Sequence, residues 1–252
     1  LPGSTPEKDI EMSRLIYSDR RFKPDYVKIY PCMVIAGTEL FRMWQRGEHR
    51  TYTDEELKCV LKEISALTPP WVRVDRLVRD ISRKWVAAGT VKTNFRQVVE
   101  EELKKEGRPC RCIRCREVGG GEYDLNDLEF NEIEYATVGG KEIFLSFEKG
   151  AKLYALLRLR LPNKGERMLF AELRGAAIIR EVHSYGQAMG FSKRGKGKTQ
   201  HQGLGKQLLE RAEKRARAKG YKKIAVISAI GTREYYKKLG YVLEGTYMMK
   251  EF

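Results

Sequence analysis

At 252 residues the chain is long enough for two ordinary domains, and two is the better expectation. Its 49 Lys and Arg against 34 Asp and Glu leave a net charge of +15, which favours a polyanionic partner, nucleic acid ahead of an anionic membrane. No apolar run approaches the roughly 20 residues that cross a bilayer, which excludes the helical membrane-spanning class. The same charge also suits a merely well-solvated surface. Nothing at the start reads as a signal peptide, so the expected localisation is cytoplasmic. Leu1-Pro2-Gly3-Ser4-Thr5-Pro6 reads as a loop from inside a longer protein.

Taken in order, Tyr26 to Tyr30 alternates at period two and predicts a strand that turns at Pro31. Thr53-Asp54-Glu55-Glu56 is a capping box, Thr53 accepting from the third amide while Glu56 reaches back. The helix it opens puts Leu57, Val60, Leu61, Ile64 and Leu67 on one face and stops at Pro69-Pro70. A second helix is expected from Thr93 through Phe95, Val98, Val99 and Leu103 to Gly107. This α/β pattern is too short to close a barrel alone. Gly119-Gly120-Gly121 marks the expected boundary between domains 1–118 and 119–252.

Beyond it the pattern turns to strands: Ile133 to Thr137, Glu142 to Phe147, Leu153 to Leu159, Met168 to Leu173 and Ala176 to Val182. A polar stretch from Gly190 to Gln202 leads into a long helix with Leu204, Leu208, Leu209, Ala212 and Ala216 on one side. Glu210/Lys214 and Glu213/Arg217 are expected to pair on the other side, and Gly220 ends the helix. Lys223 to Ser228 reads as a buried strand, Thr232 to Leu239 as a short helix, and Tyr241 to Glu251 as a closing strand.

Three of the five cysteines crowd into Cys110-Arg111-Cys112-Ile113-Arg114-Cys115. A disulfide framework would not bunch them so tightly, and C-x-C-x2-C suits Zn²⁺, with an iron–sulfur cluster as the lower-ranked alternative. Three thiolates leave one tetrahedral position open, for which Cys32 is a candidate, its plainer role being that of a buried hydrophobe; Cys59, beside the apolar face of a helix, is expected to be structural.

Gln200-His201-Gln202-Gly203-Leu204-Gly205-Lys206 opens the long helix. Glycines there let backbone approach a ligand, and the unpaired first-turn amides and helix dipole suit a pyrophosphate. A glycine pair before a helix is equally often a tight turn. Neither the Walker nor the dinucleotide pattern fits, whereas Gln/Arg-x-x-Gly-x-Gly/Ala does, as Gln200-x-x-Gly203-x-Gly205.

With that loop after a meander of strands, and with Tyr235-Tyr236-Lys237-Lys238-Leu239-Gly240-Tyr241 near the end, the second domain resembles the GNAT acetyltransferases. Arg180-Glu181-Val182-His183-Ser184-Tyr185-Gly186, Ile224 to Ser228 and Gly231 to Tyr236 resemble, more narrowly, the family of the Elongator catalytic subunit. Tyr30-Pro31, Val34 to Thr38 and Pro69 to Val74 are similar to the later part of that family's radical-SAM domain, and Arg114 to Gly119 to its junction. The fold expected is therefore α/β, a partial radical-SAM α/β domain followed by a GNAT-type N-acetyltransferase fold with a mixed sheet.

The resemblance implies acetyl-CoA-dependent modification of the tRNA wobble uridine at carbon 5. S-adenosylmethionine and a [4Fe-4S] cluster go with the full-length family, and no cysteine set here has the spacing of the cluster ligands. By position, Gln202, Gly203, Leu204, Gly205 and Lys206 would hold coenzyme A, and Tyr235 or Tyr236 would protonate the leaving thiolate. Glu181 and His183, two apart on a strand, would share one side and orient a water or polarise the thioester.

Cys110, Cys112 and Cys115 would form a structural zinc clamp at the junction, 110–115. Lys193, Arg194 and Lys196 precede the phosphate loop, and Arg73, Arg76, Arg79, Arg83 and Lys84, with Lys92 and Arg96, punctuate the first domain; both sets would meet RNA phosphates. A homodimer or other Elongator-like subunits are open as partners, and no membrane is expected. Two other readings stay in view: a protein or small-amine N-acetyltransferase, and an inert RNA- or CoA-binding scaffold.

Overall fold

In the computed structural model, which describes residues 1–79, 81–119, 125–185 and 203–252, Thr5 caps a helix, α1 (Pro6–Ser18). Its hydroxyl accepts from the Lys8 amide, and Pro6 sits in the first turn, where a missing N–H costs no hydrogen bond. The stretch read as a loop thus gives way at its last residue, Pro6, to a helix whose cap is local. The chain then divides into two units, Leu1–Cys115 and Arg116–Phe252.

In the first unit, β1 (Tyr26–Lys28) pairs in parallel with β3 (Arg73–Arg76), and β2 (Val34–Ile35) pairs antiparallel with β4 (Val86–Ala88). A short helix, α2 (Glu39–Gln45), lies between β2 and the main helix, α3 (Asp54–Leu67). The expected capping box is present: Thr53 Oγ1 accepts from the Glu56 amide at 3.2 Å, and Glu56 Oε2 accepts from the Thr53 amide at 2.9 Å. Leu57, Val60, Leu61 and Ile64 are buried on one face of α3, which packs against α1 and α4 (Phe95–Lys105). Phe95, Val99 and Leu103 return that contact at i, i+4, i+8. Each such aliphatic or aromatic side chain stabilises the unit by about 1.5–3 kcal/mol through burial. A single turn, α5 (Ile113–Arg116), follows, anchored by the Ile113 amide on the Val72 carbonyl.

The second unit is built on a seven-stranded mixed sheet. β5 (Glu129–Thr137), β6 (Gly140–Lys149), β7 (Lys152–Pro162) and β8 (Ala176–Ser184) form an antiparallel meander. Gly139, at φ +72°, makes the β5–β6 turn, a backbone state that costs glycine little. After β8 the chain crosses through α6 (Leu204–Ala218) to β9 (Lys223–Val226), which is parallel to β8. A short helix, α7 (Arg233–Lys238), precedes β10 (Val242–Glu244) and β11 (Tyr247–Glu251), giving the order β10-β11-β9-β8-β7-β6-β5. Leu204, Leu208, Leu209, Ala212 and Ala216 of α6 pack on Leu145, Leu157, Leu159, Ala177 and Ile179 of the sheet.

Three local expectations are corrected. Met168 to Leu173 is not a strand but a loop with one 3-10 turn at Ala171–Leu173; Leu169 is 89 % exposed, and Ala176 onward already takes the place beside β7. Tyr241 to Glu251 is a hairpin rather than one strand, folded at Gly245 with φ +56°, where a Cβ would strike the Glu172 carboxylate. Glu213 does not pair with Arg217: it is buried and accepts from Tyr241 Oη at 2.9 Å and Lys250 Nζ at 2.8 Å. Arg217 instead stacks over Phe252, and Glu210 pairs with Lys206. Among the described residues no helix is long and apolar enough to cross a membrane.

Candidate functional site

The β8–β9 ladder stops partway. Its last residue pair is Ile179–Val226, and the Ile227 amide makes a final bond to the Ile179 carbonyl at 3.2 Å. β8 continues to Ser184 alongside β7 alone, so two parallel strands part at the middle of the sheet. The N-terminus of α6 stands over this parting. Gly203 is its N-cap, without a side-chain capping bond, and a Cβ on Gly205 would sit 3.7 Å from Ser184 Oγ, 3.7 Å from Tyr235 Oη and 3.9 Å from Val182 Cγ1. Fifteen residues of aligned peptide dipole therefore end beside a serine hydroxyl and a phenol.

The two tyrosines separate in role-bearing terms. Tyr236 is a core ring, 7 % exposed, edge-on to Tyr241 at 5.7 Å, and burial pushes its phenol up to about 12. Tyr235 is 42 % exposed and holds its hydroxyl at the α6 terminus. Partial burial, then the Glu210 carboxylate, raise its pKa, so it keeps its proton through neutral pH. Nearby, the Ser228 Oγ and Arg233 Nε are buried with no hydrogen-bond partner among the described residues, one just past β9 and the other at the start of α7. Orphaned donors at the end of a parted ladder suit a polar ligand.

Pleat alternation divides the β8 residues. Val182 and Ser184 face α6, whereas Glu181 and His183 lie on the opposite face. Glu181 Oε2 accepts from the buried Arg158 Nε at 2.7 Å, and the His183 ring packs on Tyr185 at 4.3 Å. Leu204 puts its side chain in the core, leaving its backbone at the helix start, and Lys206 pairs with Glu210 at 3.7 Å. Gln202, like Gln200 and His201 before it, lies outside the described residues. So do Lys193, Arg194 and Lys196. Ser184 was not singled out in the sequence; its signal was its alternation with Glu181 and His183 in the same segment.

In the first unit, the sulfurs of Cys110, Cys112 and Cys115 lie within 4.8 Å of one another, Cys112 and Cys115 at 3.5 Å. Cys110 and Cys115 hold their protons more tightly than a free thiol, while Cys112 is pulled down by hydrogen bonds from both. Three thiols this close cannot all ionise alone, and a divalent cation removes that conflict, so the donor set fits a soft tetrahedral ion. Cys32, the fourth-ligand candidate, lies outside this set and lines a separate cavity. Arg73 pairs with Asp75 at 3.0 Å and is largely covered, whereas Arg76 is exposed at the end of β3.

Comparison with known proteins places these features. The family model "Radical_SAM C-terminal domain" matches residues 24–105 and "Acetyltransferase (GNAT) domain" matches residues 196–250. The tRNA uridine(34) acetyltransferase of Dehalococcoides mccartyi is 41% identical over 99% of this chain and 56% of its own length. Elongator complex protein 3 of Bos taurus is 41% identical over 99% of this chain and 47% of its own. The solved structure of archaeal Methanocaldococcus infernus Elp3 with an N-terminal deletion superposes with a TM-score of 0.89 at 41% identity, covering 100% of this chain and 61% of that one. The chain thus spans about half the length of the curated relatives it matches. Joining a Radical_SAM C-terminal domain to an acetyltransferase (GNAT) domain, it is a homologue over its whole length of the tRNA uridine(34) acetyltransferases and Elongator complex protein 3.

Proposed function

We propose that this chain binds acetyl-CoA at the α6 terminus, cleaves its thioester, and serves modification of the tRNA wobble uridine at carbon 5. The observation that carries the reading is the meeting of the Gly205 backbone, Ser184 and Tyr235 where β8 parts from β9. Gly203, Gly205 and the amides of Leu204 and Lys206 would face the pyrophosphate, with Gln202 before them. Acetyl-CoA supplies the activated two-carbon unit. Tyr235 holds the proton that the thiolate takes on leaving. Glu181, held by its ion pair with Arg158, and His183 stand on the far face of β8 to orient a water or the substrate.

tRNA would meet Arg76, Arg73, Lys193, Arg194 and Lys196, and the net charge of +15 supplies the field that draws it in. S-adenosylmethionine and a [4Fe-4S] cluster would go with the full-length family, as the Radical_SAM C-terminal domain suggests, and the proposed compartment is the cytoplasm. The test is acetyl-CoA hydrolysis by the whole chain with and without tRNA. tRNA is expected to stimulate cleavage, and the stimulation to fall by orders of magnitude between about 50 and 200 mM salt, because each neutralised phosphate releases counterions. A neutral polymer with the same effect as tRNA would remove the nucleic-acid reading. Turnover of a small amine without RNA would put an N-acetyltransferase in its place, and no cleavage under any condition would leave a scaffold.

The cysteine trio is proposed to hold one structural zinc. Elemental analysis of the purified chain should give about one zinc per chain, and Cys112→Ser should lose it, because the buried thiolate at the centre of the set is gone. A folded wild-type protein without metal would sink the zinc site.

A further inference from the structure

We infer that Glu100 of α4 supplies the fourth ligand to the Cys110–Cys112–Cys115 trio, closing it as a three-sulfur, one-oxygen tetrahedron. The inference rests on the zinc reading above and deepens it. A tetrahedral zinc with bonds of about 2.3 Å to sulfur and 2.0–2.2 Å to oxygen sets two sulfurs about 3.8 Å apart, and a sulfur and an oxygen about 3.5 Å apart. The Cys112 and Cys115 sulfurs are 3.5 Å apart, and Glu100 Oε1 is 3.3 Å from the Cys115 sulfur. Those spacings already lie within a few tenths of an ångström of a shared ion.

The carboxylate stands on the Cys115 side of the trio, outside the set of sulfurs within 4.8 Å, so a side-chain rotation must carry it over the metal. That rotation is open to it, since the side chain is 41 % exposed. Its second partner is placed as such ligands require. Arg96 Nη1 donates to Glu100 Oε1 at 3.1 Å, and Arg96 Nη2 donates to the Val74 carbonyl at 2.7 Å. Val74 is buried in the same core cluster as Cys112. One β3 residue therefore belongs to the packing around a cysteine of the trio and, through its carbonyl, holds the arginine that orients the carboxylate, the kind of supporting contact that positions metal ligands. Oxygen in the fourth place also completes the charge logic: three thiolates and a carboxylate around a divalent ion leave a net charge of −2. Arg96, paired to the same carboxylate, offsets part of it.

The experiment uses the whole chain, purified with its metal, in wild-type, Glu100→Ala and Glu100→Cys forms. Zinc affinity is read by competition with a chromophoric chelator, and coordination by the absorption of the cobalt(II)-substituted protein. Glu100→Ala is expected to bind zinc about 10- to 100-fold more weakly, with an altered cobalt spectrum. Glu100→Cys is expected to restore tight binding and to shift the cobalt bands to longer wavelength, as four sulfurs require. A merely structural glutamate would move neither spectrum. If wild-type holds one zinc and Glu100→Ala holds it equally tightly with an unchanged cobalt spectrum, Glu100 is no ligand and the three-cysteine site stands. If wild-type holds no metal at all, the zinc site and this ligand fall together.

Discussion

Gly205→Glu is expected to abolish coenzyme A binding, by at least about 100-fold or ~2.8 kcal/mol, while leaving the fold intact. The position separates the two effects cleanly. A Cβ at Gly205 meets only ordinary contacts near 3.7 Å, so the backbone there is not forced to be glycine. Glutamate is a better helix former than glycine by roughly 0.5–1 kcal/mol, and an acid in the first turn suits the helix dipole. Thermal unfolding should therefore be unchanged or slightly later. The rest of the side chain, however, must project among Ser184, Tyr235 and Val182, in front of the amides that would take the pyrophosphate. It fills that space and sets a negative charge where a dianion has to sit. Gly205→Ala, which adds only the tolerated Cβ, should lose far less. Calorimetric titration with coenzyme A checks both, and undiminished affinity in a folded Gly205→Glu protein would remove the site from the α6 terminus.

Tyr235→Phe should lower the turnover of acetyl-CoA cleavage about 100-fold with little change in KM, the range associated with loss of one positioned general acid. The residue is half-exposed at the site, and its hydroxyl lies by the same Gly205 position as Ser184. Burial and then Glu210 raise its pKa, so the acid form prevails below that raised value and is lost only above it. Since an ordinary tyrosine titrates near 10, the rate should stay level through neutral and weakly alkaline pH and fall only above about pH 10. In Tyr235→Phe that alkaline limb should vanish along with most of the rate. Loss in Tyr236→Phe but not in Tyr235→Phe would move the proton to the buried ring and overturn the assignment.

Much of this architecture was determined by sequence alone, wherever the determining contacts are local. Thr53 and Glu56 satisfy each other across three residues, so the start of α3 was legible in four letters. Leu57, Val60, Leu61 and Ile64, or Leu208, Leu209, Ala212 and Ala216, mark a buried helical face by period alone. Cys110, Cys112 and Cys115 are near one another because so short a spacing can hardly part them.

What only the tertiary structure decided was the choice of partner and face. Period-two patterning put Glu181 and His183 on one side of β8 but could not say that α6 lies against the other, beside Val182 and Ser184. Adjacent Tyr235 and Tyr236 are alike as letters; the packing of α7 on β10 and β11 sends one ring into the core and leaves the other at the site. Glu213 carries a solvent-face label in any helical wheel, yet Tyr241 and Lys250, arriving from 28 and 37 residues away, bury it. The parting of β8 from β9 has no signature in either strand, because a ladder ends where two distant segments diverge. Periodicity reports whether a side chain meets water or protein. Which protein it meets is settled only when segments far apart in the chain compete for the same surface.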